Sequence, residues 1–462
     1  MKAPEQLVTY RLIITRRSAS EVLLVPSGTR WTLPRVEIRP FRRLAAELTS
    51  EASRAWSVDA YCLLAGSVLS RGPAPGAHHA VLEAARQNDQ APGGSYWVAR
   101  TTAGKRCDLE ENQMVTRALA ELDCYVNGEK VGPFAKPGWL RDLFGWTAGQ
   151  LAPLGLRLTG SFRQYNASPA FALLRLDAVE RRVWFKATGE PNAHELPTTV
   201  ELARLLTRYA PRVLAVHPDW NGWLAEEAEG VSLDESRDFS DWERAASDLA
   251  EFQIAAIGQH PRLLAAGLKD LRCAALVGRM EAFLTHMAEL MAAQDAPTPA
   301  PLAPTELVTL GEALQDSCAV LDSCGLPDTI GQVDFNPGNI VVSRNGCTFL
   351  DWAEGCVANP LLTFEYLRQH LGRSGVGAAA SGQRLLASYL RPWGRLYPLA
   401  HLRRAAAFAP PVAVLAYAVA HDTWRCREQT RNPEIAGLYR SLTRRMFREV
   451  ISASQRGEPC LQ

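Results

Sequence analysis

Apolar and polar residues alternate, or gather in short β-branched blocks, over Val8–Thr15 and Glu21–Pro26, with the charged Arg16-Arg17-Ser18 between them. Blocks of that length, bounded by turn-forming residues, predict two strands. The period then changes. Within Phe41–Trp56 the apolar residues Leu44, Ala45, Leu48 and Ala52 recur at intervals of three and four, which predicts one face of a helix. Strand-type runs return at Tyr61–Leu69 and Ser95–Thr101, divided by the loop Gly72-Pro73-Ala74-Pro75-Gly76, and a helix follows over Glu110–Leu122. Residues 1–130 read as a small α+β domain. Residues 131–153, with Trp139, Leu140, Leu143, Phe144, Trp146 and Leu151, read as an aromatic-rich helical connector.

From Leu156 the pattern is again that of strands: Leu156–Phe162, Ala170–Asp177 and Val183–Ala187, then a helix from Pro197 to Tyr209, then strands at Arg212–Val216 and Trp223–Glu227. Pro197 suits a first helical turn, where its missing N–H leaves nothing unpaired. Residues 154–233 therefore hold five strands with one helix after the third. Residues 234–462 are mainly helical, with helices at Asp241–Ile257, Gly267–Ala293 and Thr305–Cys324, and a Pro/Ala linker at Ala296–Pro304. The Thr305 helix places Leu307, Leu310, Leu314, Cys318 and Leu321 on one face and is stopped by Gly325. A short β passage, Thr329–Asp351, interrupts the helices.

A chain of 462 residues exceeds one typical core, so two or three domains are expected. Fifty Lys and Arg nearly cancel 49 Asp and Glu, which leaves no global field to attract nucleic acid or an anionic membrane. The ten cysteines form no CxxC pair and stand near no histidine at metal-ligand spacing; they read as reduced thiols. Cys318 and Cys324 are six apart and should not share a helical face. Met1–Gln6 lacks the apolar run of a signal peptide, and no stretch of 18 apolar residues occurs. Ala405–Ala420 reads as a core helix entered through Pro410 and Pro411. A soluble, cytoplasmic protein is expected, with no nucleic-acid or membrane partner.

The chemistry gathers in Gly331-Gln332-Val333-Asp334-Phe335-Asn336-Pro337-Gly338-Asn339-Ile340-Val341-Val342, followed by Thr348-Phe349-Leu350-Asp351-Trp352. This reads as strand, tight loop, strand, a turn at Asn345-Gly346, and a strand ending in a carboxylate. Phosphoryl transfer from ATP asks for one carboxylate to orient the attacking hydroxyl and for two oxygen ligands to hold Mg²⁺ across the phosphates. Asp334 suits the first role, and Asn339 and Asp351 the second. Pro337-Gly338 lets the loop turn back so that Asp334 and Asn339 can face one site. An Asp five residues before an Asn is common by chance. A second Asp twelve residues on, closing an apolar strand, is not.

The stretch resembles the catalytic loop of the aminoglycoside phosphotransferase and choline kinase superfamily, His-Gly-Asp-x-x-x-x-Asn closed by Asp-Trp. Gln332 stands where that family has its histidine. Gln can donate and accept hydrogen bonds but cannot become cationic. The resemblance runs from about Leu154 to Leu390 and implies a protein-kinase-like two-lobe α+β fold, with a five-stranded N-lobe and a mainly helical C-lobe. It places Ser168, in Asn166-Ala167-Ser168-Pro169-Ala170, in a loop over the nucleotide, and Lys186 on the α/β-phosphates. Glu195 or Glu201 would be the partner of Lys186, with Glu195 favoured by Glu195-Leu196-Pro197-Thr198-Thr199. Glu227 and Ala228 would lie beside adenine through their main chains. ATP and Mg²⁺ are the implied cofactors, and a small-molecule hydroxyl is the implied acceptor, held between Asp334 and the helical insert Asp241–Cys324.

The first 130 residues resemble, on weaker motifs, a Nudix-type domain with a Trp31-Thr32-Leu33-Pro34 entry. Glu47 and Glu51 match its metal-binding helix, but Ala46 and Ser50 replace an arginine and a glutamate, and the glycines are missing. Diphosphate hydrolysis needs several such glutamates around divalent metal, so a Nudix-like fold without that activity is expected. A weak pseudokinase or a nucleotide- or ligand-binding module is the rival reading, prompted by Gln332 and the glycine-poor loop. His78-His79 reads as solvated loop, Glu354 as surface, and Trp220 and Trp223 as packing.

Overall fold

The computed structural model describes residues 7–28, 30–39, 43–65, 78–86, 90–377 and 380–455. The start of the predicted helix at Phe41, the predicted strand beyond Ala65 and the Gly72–Gly76 loop lie outside them. The protein is a mixed α+β chain, rich in sheet over its first half and mainly helical over its second. It divides into two compact units, 1–196 with 212–227, and 197–211 with 228–462. The expected boundaries at 130 and 153 both fall inside the first unit.

In the first unit, the strand Val8–Arg16 lies at the centre of a seven-stranded sheet. It pairs antiparallel with Glu21–Ser27 and Arg35–Ile38, and parallel with His78–Ala84, beyond which lies Ala60–Ala65. Alternation along this strand decides the layers. Tyr10, Leu12 and Ile14 pack with Ala45, Leu48 and Ala52 of the helix Leu44–Trp56. Ile13 packs the other way, with Val115, Leu119 and Leu122 of the helix Leu109–Val126. The latter helix carries Glu111, fully buried, which accepts from Thr32 Oγ1 (2.6 Å), the Leu33 N–H (3.1 Å) and Arg35 (3.2 Å). That carboxylate fixes the Trp31–Pro34 segment.

His78 and His79 are not loop residues: they open the strand paired in parallel with Tyr10 and Arg11. His78 stacks on Tyr10 at 5.2 Å between centroids, and burial lowers the pKa of His79. The Gly/Pro run before them masked the start of a strand whose apolar residues come later. Arg100–Arg106 is a helix where strand was expected to continue to Thr101.

The second sheet of this unit has five antiparallel strands in the order Val213–His217, Gly222–Glu226, Arg182–Ala187, Phe171–Ala178, Leu158–Ser168. Leu174, Leu176, Val183, Phe185 and Leu224 are buried with Phe134, Trp139 and Leu143 of the predicted connector. The connector, with its helix Trp139–Leu151, is thus a shared core layer. The single helix after the third strand, Glu195–Leu205, begins in this unit and passes into the next at Pro197. These five strands, that helix and the helical remainder are the order expected of a kinase-like fold.

The second unit is built on the helices Phe239–Ala255, Cys273–Ala292 and Pro304–Ser323 and, among the described residues, on five more from Pro360 onward. Leu307, Leu310, Leu314, Cys318 and Leu321 are all buried, as their spacing predicts. Two three-stranded sheets carry the loop of interest. One joins Val231–Ser232, Ile340–Ser343 and Gly346–Phe349; the other joins Lys269–Asp270, Gly355–Ala358 and Thr329–Gln332. Gly230 permits the first: at φ +136°, a Cβ there would lie 2.2 Å from the Val342 carbonyl oxygen.

The helix Leu399–Val419 holds Pro410 and Pro411 in its interior, not at its entry. By length and hydropathy it could cross a membrane, contrary to the reading from apolar runs alone. However, 72% of that window is buried within the protein, with Leu402, Ala409, Val412 and Leu415 in the core. The nine cysteines among the described residues stand outside any disulfide, and Cys318 neighbours Cys273 on another helix.

Candidate active site

In the first unit, Lys186 projects from the central strand, opposite Leu173 on one neighbour and Trp223 on the other. Its Nζ lies 2.5 Å from Glu195 Oε1, with 13% of the lysine side chain and 1% of the glutamate's exposed. Of the two glutamates left open by sequence, Glu195 is the partner. Glu201, about one and two-thirds turns on, is bound instead by Arg262 at 2.7 Å and by Arg204. A glutamate at a helix's first position also lies at its positive end. Trp223 is buried with its ring 5.9 Å from Lys186 Nζ, and Trp220 stacks on His217 at 4.1 Å, so both tryptophans pack.

Ser168 ends the strand Leu158–Ser168 and pairs with Phe171. The expected five-residue loop is therefore a two-residue turn, Pro169-Ala170. The connector holds that turn: the Phe134 N–H donates to the Pro169 carbonyl at 3.1 Å, and a Cβ on Gly132 would meet Pro169 Cβ at 2.5 Å. Glu227 follows the strand Gly222–Glu226; its N–H donates to the Arg182 carbonyl and its carboxylate accepts from Trp184 Nε1, both at 3.3 Å. Ala228 is the first residue of this segment in the second unit.

In the second unit, the strand Thr329–Gln332 delivers the chain to Asp334. Gly331 is required there, since a Cβ would lie 2.5 Å from Thr363 Oγ1, the hydroxyl that accepts from the Gln332 N–H at 2.9 Å. Asn336 Oδ1 accepts from the Gly338 N–H at 2.8 Å and caps the turn Pro337–Asn339. The Leu350 N–H then donates to the Asn339 carbonyl at 2.8 Å, which sets Asn339 and Asp351 side by side at one end of the Ile340–Phe349 hairpin. Asp351 has φ +63°, a conformation uncommon outside glycine and concentrated at functional sites. Gln332 Nε2 donates to the Asp351 main-chain carbonyl.

Asp334 is open to solvent on one side. Burial of the other side, then repulsion from Asp351 and Glu354, nevertheless raises its pKa above the ordinary aspartate value. Glu354, expected at the surface, has a side chain only 20% exposed and is bridged by Lys269 Nζ at 2.6 Å and His421 Nε2 at 3.0 Å. Burial would raise its pKa, but the hydrogen bonds from His421 and Lys269 outweigh that and lower it. Burial, with Asp334 and Glu354 nearby, raises the pKa of Tyr417. Lys269, Tyr417 and His421 were not singled out from sequence. They come from a two-residue strand and from the end of a helix that reads as core, and neither carries a local motif.

No family model matches the chain, and no curated protein matches it. Among solved structures, a choline kinase from Streptococcus pneumoniae aligns over 67% of this chain and 99% of its own, at 14% identity and a TM-score of 0.43. A Plasmodium vivax ethanolamine kinase covers 64% and 82%, at 10% and 0.42. A GDP complex of aminoglycoside 2'-phosphotransferase-IIIa covers 66% and 98%, at 13% and 0.44. At these values none of them assigns a role to any residue here.

Proposed function

We propose that this protein is a small-molecule kinase that transfers the γ-phosphoryl group of ATP to a hydroxyl. The observation that carries the reading is the buried Lys186–Glu195 pair on a central strand and the first turn of the following helix. A buried ion pair is costly to desolvate and weak as a stabilising device, so a lysine held this way, at the edge of solvent, is best understood as positioned for an anion. Lys186 would neutralise the α/β-phosphates, beneath the turn at Ser168, with Glu227 and Ala228 beside the base.

Asp334 would orient the acceptor hydroxyl and take up its proton, and its raised pKa suits a group that must both accept and release one. Asn339 and Asp351 are hard oxygen donors at one hairpin end. Among the described residues no three His, Cys, Asp or Glu side chains form a closed cage. Two protein ligands fit Mg²⁺, which keeps waters and is completed by substrate phosphates. When bound, Mg²⁺ would supply neutralisation of phosphate charge. The protein's share is positioning and electrostatic stabilisation. Lys269, Glu354, Tyr417 and His421 surround the acceptor side of Asp334 in this reading. The sequence reading puts the acceptor between Asp334 and the insert Asp241–Cys324; in this proposal the last turn of Leu399–Val419 and the residues after it would flank it too.

The first 130 residues are read as a Nudix-like, non-hydrolytic domain: Glu51 is held by Arg54 at 2.5 Å, and Ser50 offers no carboxylate.

The test is thermal melting with ATP, with and without Mg²⁺, joined to transfer of labelled phosphate to a panel of choline-like, amino-alcohol, sugar and aminoglycoside acceptors. Stabilisation that needs Mg²⁺ and disappears in Asp351→Asn, with transfer lost in Asp334→Ala, is expected. Stabilisation without transfer to any acceptor would favour a nucleotide-binding module. No shift at millimolar ATP would sink both.

A further inference from the structure

Three stretches of the second unit, far apart in sequence, meet at one end of a three-stranded sheet. The strands Thr329–Gln332 and Gly355–Ala358 run antiparallel, and their ladder continues by one bond, the Val333 N–H donating to the Glu354 carbonyl at 3.1 Å. Lys269, which opens the third strand, pairs in parallel with Cys356. Lys269, Glu354 and Asp334 are thereby gathered at the same end. His421, just past the helix Leu399–Val419, joins them through Glu354.

The bonds at Glu354 are lopsided. Lys269 Nζ at 2.6 Å and His421 Nε2 at 3.0 Å both engage Oε2. Among the described residues no donor bonds Oε1, on a side chain that water still reaches. A carboxylate kept only to hold the fold together is expected to have both oxygens satisfied. Lys269 is likewise underused: an ammonium has three N–H donors, and Glu354 is its one hydrogen-bond partner among the described residues. Tyr417, in the last turn of the same helix and 38% exposed, adds a hydroxyl.

The charges around this end are matched. Lys269 answers Glu354, Arg272 holds Asp270 at 2.7 Å, and Asp422, beside His421, lies 3.4 Å from Arg425. An ammonium-bearing acceptor asks for a carboxylate without a cation of its own, or for an open aromatic face. Here the carboxylate next to Asp334 already has its cation, and Lys269 would repel a second. Hydroxyl groups, which donate and accept at once, suit a fixed set of one free carboxylate oxygen, spare ammonium N–H groups and a phenol.

We propose that the acceptor is an uncharged polyol, a sugar or a cyclitol, with one hydroxyl on Asp334 and another donating to Glu354 Oε1. Lys269 gives its remaining N–H donors to oxygens of the same molecule. His421 is a positioning residue that holds Glu354. The proposal rests on the kinase reading above, in which the acceptor oxygen bonds the γ-phosphorus as the bond to the β-phosphate oxygen breaks, the hydroxyl proton passes to Asp334, and ADP leaves.

The experiment measures transfer from Mg-ATP by the full chain to glucose, ribose and myo-inositol, against choline, ethanolamine and an aminoglycoside. Wild type is expected to favour at least one polyol over every amine by about 100-fold in kcat/KM. Glu354→Gln should raise the KM for that polyol about tenfold or more, the share of one hydrogen bond to a charged group. Its kcat should fall less than its KM rises, and its KM for ATP should stay within about twofold. A merely structural role would lower the melting temperature and move both KM values together. Lys269→Met removes the repelling cation and should shift the ratio of amine to polyol transfer at least ~tenfold toward the amines. His421→Gln, at a side chain 45% exposed, is read if Lys269→Met does not fold, and should raise the polyol KM about threefold. Wild-type preference for an amine, or a polyol KM unmoved by Glu354→Gln, overturns the proposal and leaves the kinase reading standing. Absence of transfer to any polyol overturns it as well, and the kinase reading falls with it only if Mg-ATP also fails to stabilise the wild type.

Discussion

Gln332 Nε2 donates to the main-chain carbonyl of Asp351, so the residue that leads into the Asp334 loop also holds the residue that closes it. The bond reaches across nineteen positions of sequence, and a second donation, to Leu350 O at 3.4 Å, supports the same turn. Gln332 is 1% exposed, so water cannot replace the amide. Removing a buried partner leaves the carbonyl unpaired at a cost of about 1–3 kcal/mol. Gln332→Ala is expected to lower the melting temperature and to weaken Mg²⁺-dependent stabilisation by ATP. Gln332→His, which retains a donor, should recover most of both. Equal loss in the two variants, read by melting with and without Mg-ATP, would remove the supporting role.

The Lys186–Glu195 pair makes a sharper demand. Glu195→Gln takes the Glu195 charge from a mostly buried ammonium, and breaking a buried pair on one side costs up to about 3–5 kcal/mol. Less is expected here because Lys186 reaches solvent and can be hydrated. On the proposed function, the KM for ATP rises more than kcat falls, since the lysine is misplaced and not removed. Lys186→Met/Glu195→Leu should melt closer to wild type than Glu195→Gln while losing nucleotide binding. Melting curves together with ATP titration check both halves.

The elements that carry the motif residues were legible because they are short and strongly patterned. Asp334, Asn339 and Asp351 follow a strand, a Pro-Gly turn and a hairpin whose alternation is plain, and Glu195 precedes a proline suited to a first turn. The Ser168 loop was read too long because Asn166-Ala167-Ser168 has turn-like composition, yet pairing with Phe171 extends the strand through it. Lys269 and His421 were not legible. Glu354 gathers them from 85 positions before it and 67 after it, a relationship that only the fold creates. The strand holding His78 and His79 escaped for the same reason: its parallel partner, Val8–Arg16, is remote in sequence.

Asp334 links stability to pH with a definite sign. Its folded pKa is raised, first by burial and then by Asp351 and Glu354, so the ionised form is penalised in the folded state. The contribution of this group to stability is therefore greatest below its unfolded pKa and is lost as pH rises through its raised folded value. Asp334→Asn should melt at or above the wild-type temperature at neutral pH, and the difference should vanish in acid. The same substitution abolishes transfer in the proposed mechanism. A variant that melts lower at pH 7 would mean that Asp334 is held by favourable contacts, and would contradict the raised pKa.

Glu111 provides a test of the first unit that is blind to catalysis. Its carboxylate is fully buried and holds Thr32, the Leu33 main chain and Arg35, with Arg11 Nε a further 3.7 Å away. Glu111→Ala removes the buried acceptor of the Thr32 hydroxyl and the Leu33 N–H. Arg11 keeps Glu110 at 2.7 Å and Arg35 reaches solvent, so the expected loss is about 1–3 kcal/mol for each buried group left unsatisfied. Glu111→Gln keeps the acceptor but not the charge and should cost less than half of that. Because Trp31 and Trp97 flank this segment and its neighbouring strand, the change should register in tryptophan fluorescence as well as in the melt. The first unit carries one core across its two sheets, so its unfolding should pull down nucleotide binding with it. A Glu111→Ala protein that loses its first transition and still binds ATP with wild-type affinity would show that the seven-stranded sheet folds apart from the five-stranded one.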